Sequence, residues 1–184
     1  QAMRAGRWCR GGEGSTRTPL KDRNWIVARA LGVKFLAAAN LRGERMSIRL
    51  VPPYDKETAT AKVQAQEFSW NFQDADAVAR ACTEDCKWRE RDKFLSGRKA
   101  VADSLREKWA VENDYRLRKE MWGFDDNRIS VRFVYEWRHR DTGQWYRTHG
   151  NEHWEFDQKG LMSRRDSSAN DIPITAEERQ IAKG

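Results

Sequence analysis

Apolar and polar residues recur along this chain with two periods, and the switch between them falls near Asn113. Upstream of it the spacing is helical. Asp55 is placed to cap a helix over 57–72, where Ala61, Ala65, Phe68 and Phe72 recur at i, i+4, i+7 and i+11 as one apolar face. Asp74 is placed to cap a second, short helix carrying Val78, Ala81 and Cys82. A short strand is predicted over 87–91. Gly97 precedes a third helix that reaches Val111, with Val101, Leu105 and Trp109 on one face. Downstream the period is two. Strands are predicted over 115–124, 128–139, 144–156 and 161–169, separated by turns at Asp125-Asp126-Asn127, Asp141-Thr142-Gly143 and Asp157 to Gly160. Three helices followed by a meander of strands is an α+β arrangement, with helices packed on one face of a curved antiparallel sheet.

Composition narrows this picture. The chain has 184 residues, enough for one domain with an appendage. Nine Trp, seven Phe and four Tyr supply core material despite a charged fraction of 34%. No run approaches the roughly 18–20 apolar residues of a membrane span, so no membrane partner is expected. Three cysteines do not make a disulfide scaffold and suit a reducing compartment, which points to the cytoplasm.

The net charge of +7 sits in one place. Residues 1–45 hold ten Lys/Arg against three Asp/Glu, and residues 46–184 hold twenty-five of each. The body therefore has no net field to draw phosphate backbones, and nucleic acid is not an expected partner. Met46 marks a candidate start of the patterned region, so the chain divides into a basic extension over 1–45 and a domain over 46–184. The extension reads as disordered or non-native, as an Arg-rich transit peptide that would direct mitochondrial import, as a secretory signal, or as a basic arm. Two cations interrupt its apolar stretch, which weighs against the secretory signal.

Candidate chemistry concentrates in the hairpin 128–156. A three-residue loop with Gly143 in the left-handed position sets a register in which Arg132 opposes Glu152 and Phe133 opposes Asn151. Tyr135 then opposes His149, and Val131 opposes His153. One face gathers Phe133, Tyr135 and Trp137 with His149, Asn151 and His153. This is an apolar wall with a few polar groups, as a small-molecule cavity requires. His149 or a carboxylate such as Glu136 is the candidate acid or base, and Tyr135 and Asn151 the candidate donors to a carbonyl oxygen. A satisfied interior network is the competing reading of these groups. The opposite face carries Arg132, Glu136 and Arg138 with Glu152 and Trp154, read as a dimer interface or a polar site. A slip of one residue would exchange the partners of the two faces.

His149 and His153 are four strand residues, roughly 13 Å, apart and cannot share a metal ion, so no metal site is expected. Cys82 and Cys86 read as buried thiols at a helix end. Trp88, Trp109 and Trp122 are candidates to stack on a planar ligand, with core packing as the alternative. No glycine-rich phosphate loop or nucleophile elbow is present, and no cofactor is expected.

Several stretches resemble a known family. They are Lys87-Trp88-Arg89-Glu90-Arg91, Phe94-Leu95-Ser96-Gly97-Arg98, Lys108-Trp109, Tyr115-Arg116-Leu117, Arg132-Phe133-Val134-Tyr135-Glu136-Trp137 and Gly150-Asn151-Glu152-His153-Trp154-Glu155-Phe156, completed by Gly160-Leu161-Met162 and Asn170-Asp171-Ile172-Pro173-Ile174. The sequence from about Val51 to Ile174 looks like the nuclear transport factor 2-like superfamily of cone-shaped α+β domains, and more closely like its SnoaL-like family of unknown function, DUF1348. The resemblance implies a small organic ligand and a homodimer formed across the sheet. The superfamily includes isomerases, cyclases, dehydratases, epoxide hydrolases and non-catalytic binding or dimerisation modules, so the fold does not name the activity. The Asp-Arg-Asp pattern of its epoxide hydrolases is absent, because Val134 stands two residues beyond Arg132. The Tyr and Asp set of its ketosteroid isomerases finds no residue-by-residue match either.

Overall fold

The computed structural model describes residues 49–181, so the readings of residues 1–45 lie outside the described residues. Helix α1, Lys56–Asn71, starts where Asp55 and Thr58 form a reciprocal capping box, with side chain to backbone distances of 2.8 and 2.9 Å. Its buried face is Ala59, Val63, Gln66 and Trp70. The predicted face has the same spacing but points elsewhere, since Phe68 and Phe72 are exposed and pack on each other at 4.5 Å. An alanine-rich helix has two such stripes, and the larger Trp70 decides which one the core accepts.

Helix α2, Ala75–Arg80, is capped by Asp74, whose carboxylate accepts from the Ala77 amide at 2.9 Å. It ends earlier than the periodicity suggests. Cys82 opens strand β1, Cys82–Glu90, which turns into β2, Lys93–Ser96. Helix α3 spans Arg98–Val111 and buries Val101, Ala102 and Leu105. Three long strands and a fourth complete the sheet: β3, Glu112–Asp125; β4, Arg128–His139; β5, Trp145–Phe156; and β6, Met162–Ile174. The sheet order is β2-β1-β6-β5-β4-β3. Every neighbouring pair is antiparallel except β1 with β6, which run parallel. The sheet is therefore mixed, because the chain passes through α3 and the whole meander before returning beside β1.

Strand β3 lies at one edge, and several of its outward backbone groups between Glu112 and Lys119 are taken up by side chains. The Asn71 side chain accepts from the Leu117 amide at 2.8 Å and donates to the Leu117 carbonyl at 2.9 Å. Glu67 accepts from the Lys119 amide at 2.5 Å, and Gln73 donates to the Glu112 carbonyl at 3.4 Å.

The β4–β5 hairpin corrects the expected register. Gly143 is left-handed as predicted, with φ +72°. The loop, however, holds four residues, because the His139 amide pairs with the Gln144 carbonyl at 2.8 Å. Arg140 is drawn out of the ladder by the end of α3, donating its amide to Val111 at 2.9 Å and its guanidinium to Ala110 at 3.1 Å. One added loop residue shifts every pair by one. Arg132 opposes Asn151, Phe133 opposes Gly150, Val134 opposes His149 and Tyr135 opposes Thr148. The inner face consequently joins Phe133, Tyr135 and Trp137 to Thr148, Gly150, Glu152 and Trp154, against the helices.

Gly150 is required by this pairing. A Cβ there would lie 2.2 Å from the Phe133 ring and 2.6 Å from the Ser168 carbonyl oxygen. We expect Gly150→Ala to lower stability by about 1–3 kcal/mol through displacement of Phe133, measured as a reduced denaturant midpoint at unchanged m-value; an unaltered midpoint would show that Phe133 moves freely.

Candidate functional site

The space between the helices and the inner face of the sheet is lined by aromatics and crossed by charge. Trp70 from α1 stacks over Trp88 from β1 at 6.3 Å and meets Trp109 from α3 edge-on at 5.7 Å. Beneath them the alternation of β3 brings Tyr115, Leu117 and Lys119 to the same side. The alternation of β1 does the same for Trp88 and the site-facing carboxylate of Glu90.

Glu152 stands at the centre, fully buried. It accepts from Arg165 Nε at 2.5 Å and from the Lys119 ammonium, while the far side of the Arg165 guanidinium donates to Glu90. Burial opposes ionisation of Glu152, but Arg165 and Lys119 outweigh it and hold its pKa down to about 2. Burial pulls the Lys119 pKa down against the attraction of Glu152. Both cations also lie over ring faces. Lys119 Nζ is 5.1 Å from the Trp70 and Trp154 centroids, and the Arg165 guanidinium is 4.8 Å from that of Trp88.

A second cluster adjoins the first. Lys108 from α3 donates to Glu112 Oε1 at 2.6 Å and to the Tyr135 hydroxyl at 2.9 Å. Arg91 reaches the same hydroxyl at 3.5 Å and pairs with Asp171 at 2.5 Å. Asp171 in turn accepts from Thr148 at 2.6 Å, and Thr148 from the Trp137 indole at 3.0 Å. Burial raises the Glu112 pKa, and Lys108 offsets only part of that. Burial works against the Lys108 ammonium too, but Tyr135, Glu112 and Glu90 raise its pKa on balance. The Tyr115 hydroxyl is pushed well above its ordinary value, first by burial.

Two polar atoms at this junction, Glu112 Oε2 and the Tyr115 hydroxyl, are buried without a protein partner. Tyr115 borders a cavity of about 10 Å³, shared with Glu90, Lys108, Phe133, Tyr135 and Arg165. That volume holds roughly one water molecule. The cation Lys108 and the protonated Tyr115 phenol border this cavity, and Glu112, a carboxylate of raised pKa, joins them from outside its lining through its bond to Lys108. Such groups can move a proton beside a developing negative charge.

Of the residues singled out in the sequence, Phe133 and Tyr135 border this cavity and Trp88 stacks above it. Trp137 lies farther along, stacked on Tyr146 at 4.7 Å. Glu152 and Trp154, expected on the opposite face, are inside. His149, Asn151 and His153 are exposed on the outer face, and His153 Nδ1 is 3.0 Å from Ser130 Oγ. Arg132 covers the exposed Trp122 ring at 4.4 Å, and Arg138 pairs with Asp114 at 3.0 Å. That face carries an open depression of about 860 Å³ that includes Arg89, Arg118, Arg132, His149 and Asn151.

Glu136 shares the outer face but is completely covered. It accepts from the Gln180 and Ile181 amides at 2.8 and 3.0 Å and from Arg147 Nε at 2.9 Å. Burial raises its pKa, but these donors outweigh it and lower the net value. Lys108, Glu112, Tyr115, Lys119, Glu90 and Arg165 were missed as site residues. The available signal was charge at an apolar-phase strand position, as at Lys119 two residues beyond Leu117. Among the described residues no cluster of three or more His, Cys, Asp or Glu is arranged to hold a metal ion. No described helix is long and apolar enough to cross a membrane.

The model of the family described as "Protein of unknown function (DUF1348)" matches residues 52–182. No curated protein matches the sequence. Among solved structures, the chain is similar to the epoxide hydrolase/cyclase-like enzyme SalBIII of pyran ring formation in polyether salinomycin, at 13% identity and a TM-score of 0.56, covering 63% of this chain and 93% of that one. It is also similar to a putative polyketide cyclase of Xanthomonas campestris, at 23% identity and 0.54, covering 59% and 87%. A nuclear transport factor 2-like protein of unknown function from Burkholderia pseudomallei gives 16% and 0.55, covering 61% and 90%. These likenesses establish the nuclear transport factor 2-like fold.

Replacing Glu152 tests the central network. Glu152→Gln leaves Lys119 and Arg165 without their anion, and we expect a loss of about 3–5 kcal/mol. Because Glu152 has its pKa lowered from 4.5 to about 2 on folding, its contribution is full above pH 4.5 and vanishes as pH falls through 2. Urea melts of the native protein and the variant should therefore converge between those limits; a constant gap across them would show that the Glu152 charge is not responsible.

Proposed function

The chain belongs to the DUF1348 family, and from that premise we propose that its interior binds a small apolar or carbonyl-bearing organic molecule and moves a proton on it without a cofactor. The observation that carries this reading is the pair of unpartnered buried atoms, Glu112 Oε2 and the Tyr115 hydroxyl, beside Lys108 and Tyr135. Glu112, with its raised pKa, takes the proton. Tyr115 stays protonated and, with the Lys108 ammonium, donates to the oxygen on which charge develops. Isomerisation, cyclisation, dehydration and hydrolysis can each use such a pairing of a base with a donor to developing negative charge. The cavity holds about one water, so uptake of an organic molecule requires α1 or α3 to move from the sheet.

The proton-transfer role passes here from His149 and Glu136 to Glu112. His149 faces outward and Glu136 is committed to residues 180 and 181. The outer depression supports a second part of the proposal, a homodimer formed across that face through Arg132, His149 and Asn151. If the interior binds nothing, a non-catalytic dimerisation module is the remaining reading.

A thermal-shift screen with small apolar and carbonyl compounds tests the binding step, since a ligand of the folded state raises the midpoint. Hits should lose turnover by about a hundredfold or more in Glu112→Gln, followed as isotope exchange at the ligand's acidic carbon. Hits that bind and turn over equally in the variant would remove Glu112 from the mechanism. The dimer should appear in sedimentation and weaken in Arg132→Glu; a monomer at all concentrations would discard it.

A further inference from the structure

Cys82 and Cys86 lie on β1, where residues four apart are ordinarily about 13 Å from each other. Here the ladder breaks between them. Cys82 pairs with Met162 and Lys87 with Arg164, so five steps along β1 are set against two along β6. Two strand residues span roughly 7 Å, and Cys82 and Lys87 are therefore brought to about that separation, with Cys86 one residue away. The surplus residues Glu84 and Asp85 are pushed out into solvent, and both cysteines turn inward, each 1% exposed. Disulfides need Cα atoms within about 7 Å and side chains on the same side; the bulge shortens the separation toward that range, and both side chains point into the core.

The two thiols also interact. The Cys82 thiol donates to the Val78 carbonyl at 3.6 Å, and its interaction with Cys86 lowers the Cys86 pKa and, with burial, raises that of Cys82. One thiol of the pair is thus prepared to act as the nucleophile and the other to follow. The bulge is tied to the start of α3 on both sides. The Gly97 amide donates to the Cys86 carbonyl at 2.8 Å, and Arg98 Nε donates to the Cys82 carbonyl at 2.7 Å.

We propose that Cys82 and Cys86 form a dithiol site that peroxide converts to an intramolecular disulfide within the folded chain. The Cys86 sulfur attacks a peroxide oxygen, the O–O bond breaks, and the departing oxygen leaves as water. The Cys82 sulfur then attacks the Cys86 sulfenic acid, the S–O bond breaks, and a second water carries away the remaining thiol proton. Two thiols and one hydrogen peroxide give one disulfide and two waters, with the two sulfurs oxidised and the peroxide oxygens reduced. The site is independent of the proton-transfer reading.

The test treats the native full-length chain with a small excess of hydrogen peroxide. Thiol titration should fall from three free thiols to one, and peptide mass mapping should join Cys82 to Cys86. A thiol reductant should restore all three. Cys86→Ser should slow oxidation of Cys82 by about tenfold or more, whereas Cys82→Ser should leave a Cys86 sulfenic acid that a dimedone-type reagent traps. Circular dichroism confirms that each variant is folded. Three free thiols persisting in the native protein while the unfolded chain reacts would overturn the proposal. So would a bond to Cys9, or independent over-oxidation of both sulfurs.

Discussion

The interior of this domain is organised around one buried carboxylate. Glu152 stands on a strand whose inward neighbours are Trp154 and Gly150, where an uncompensated charge would cost several kcal/mol. Lys119 and Arg165 must therefore come inside with it, and Glu90 must follow Arg165. The methylene stems and cationic heads of Lys119 and Arg165 then need surfaces, which Trp70, Trp88 and Trp154 provide. Such a network stabilises no more than an apolar core of the same volume would. Its effect is to fix where every neighbouring aromatic can sit, and so where the open junction at Glu112 and Tyr115 falls.

Local chemistry was legible in the sequence where it is self-contained. Asp55 with Thr58, Asp74, and the left-handed Gly143 each act within a few residues, and each element they bound was recognised. What escaped depends on distant partners. Arg140 leaves the β4–β5 ladder because Val111 and Ala110 offer it hydrogen bonds from the end of α3. Nothing in the hairpin itself announces that choice, and it exchanges the partners on both faces. The same limit applies to α1, where two stripes of equal spacing compete and Trp88 and Trp109 select the one containing Trp70. The interior cluster was hidden because its members come from five separate elements. Phe133 and Tyr135 were found because they follow the alternation of their own strand.

Helix α3 connects features that are otherwise unrelated. Its first turn is held by the β1 bulge through Gly97 and Arg98, and its last turn supplies Lys108 to Glu112 and Tyr135. A rigid helix passes a displacement at one end to the other. The fold by itself names no reaction, and the proposed proton transfer rests on groups that this helix positions.

The edge of the sheet has a consequence for how copies of the chain meet. An unpaired strand as long as β3 offers a template on which another chain can add by backbone pairing, the first step toward ordered aggregates. Here the Asn71 amide satisfies both the amide and the carbonyl of Leu117, as a peptide group of an invading strand would, and Glu67 occupies the next donor. The helix thus plugs this stretch of the edge with counterfeit backbone, and a strand pairing at Leu117 and Lys119 must first evict it.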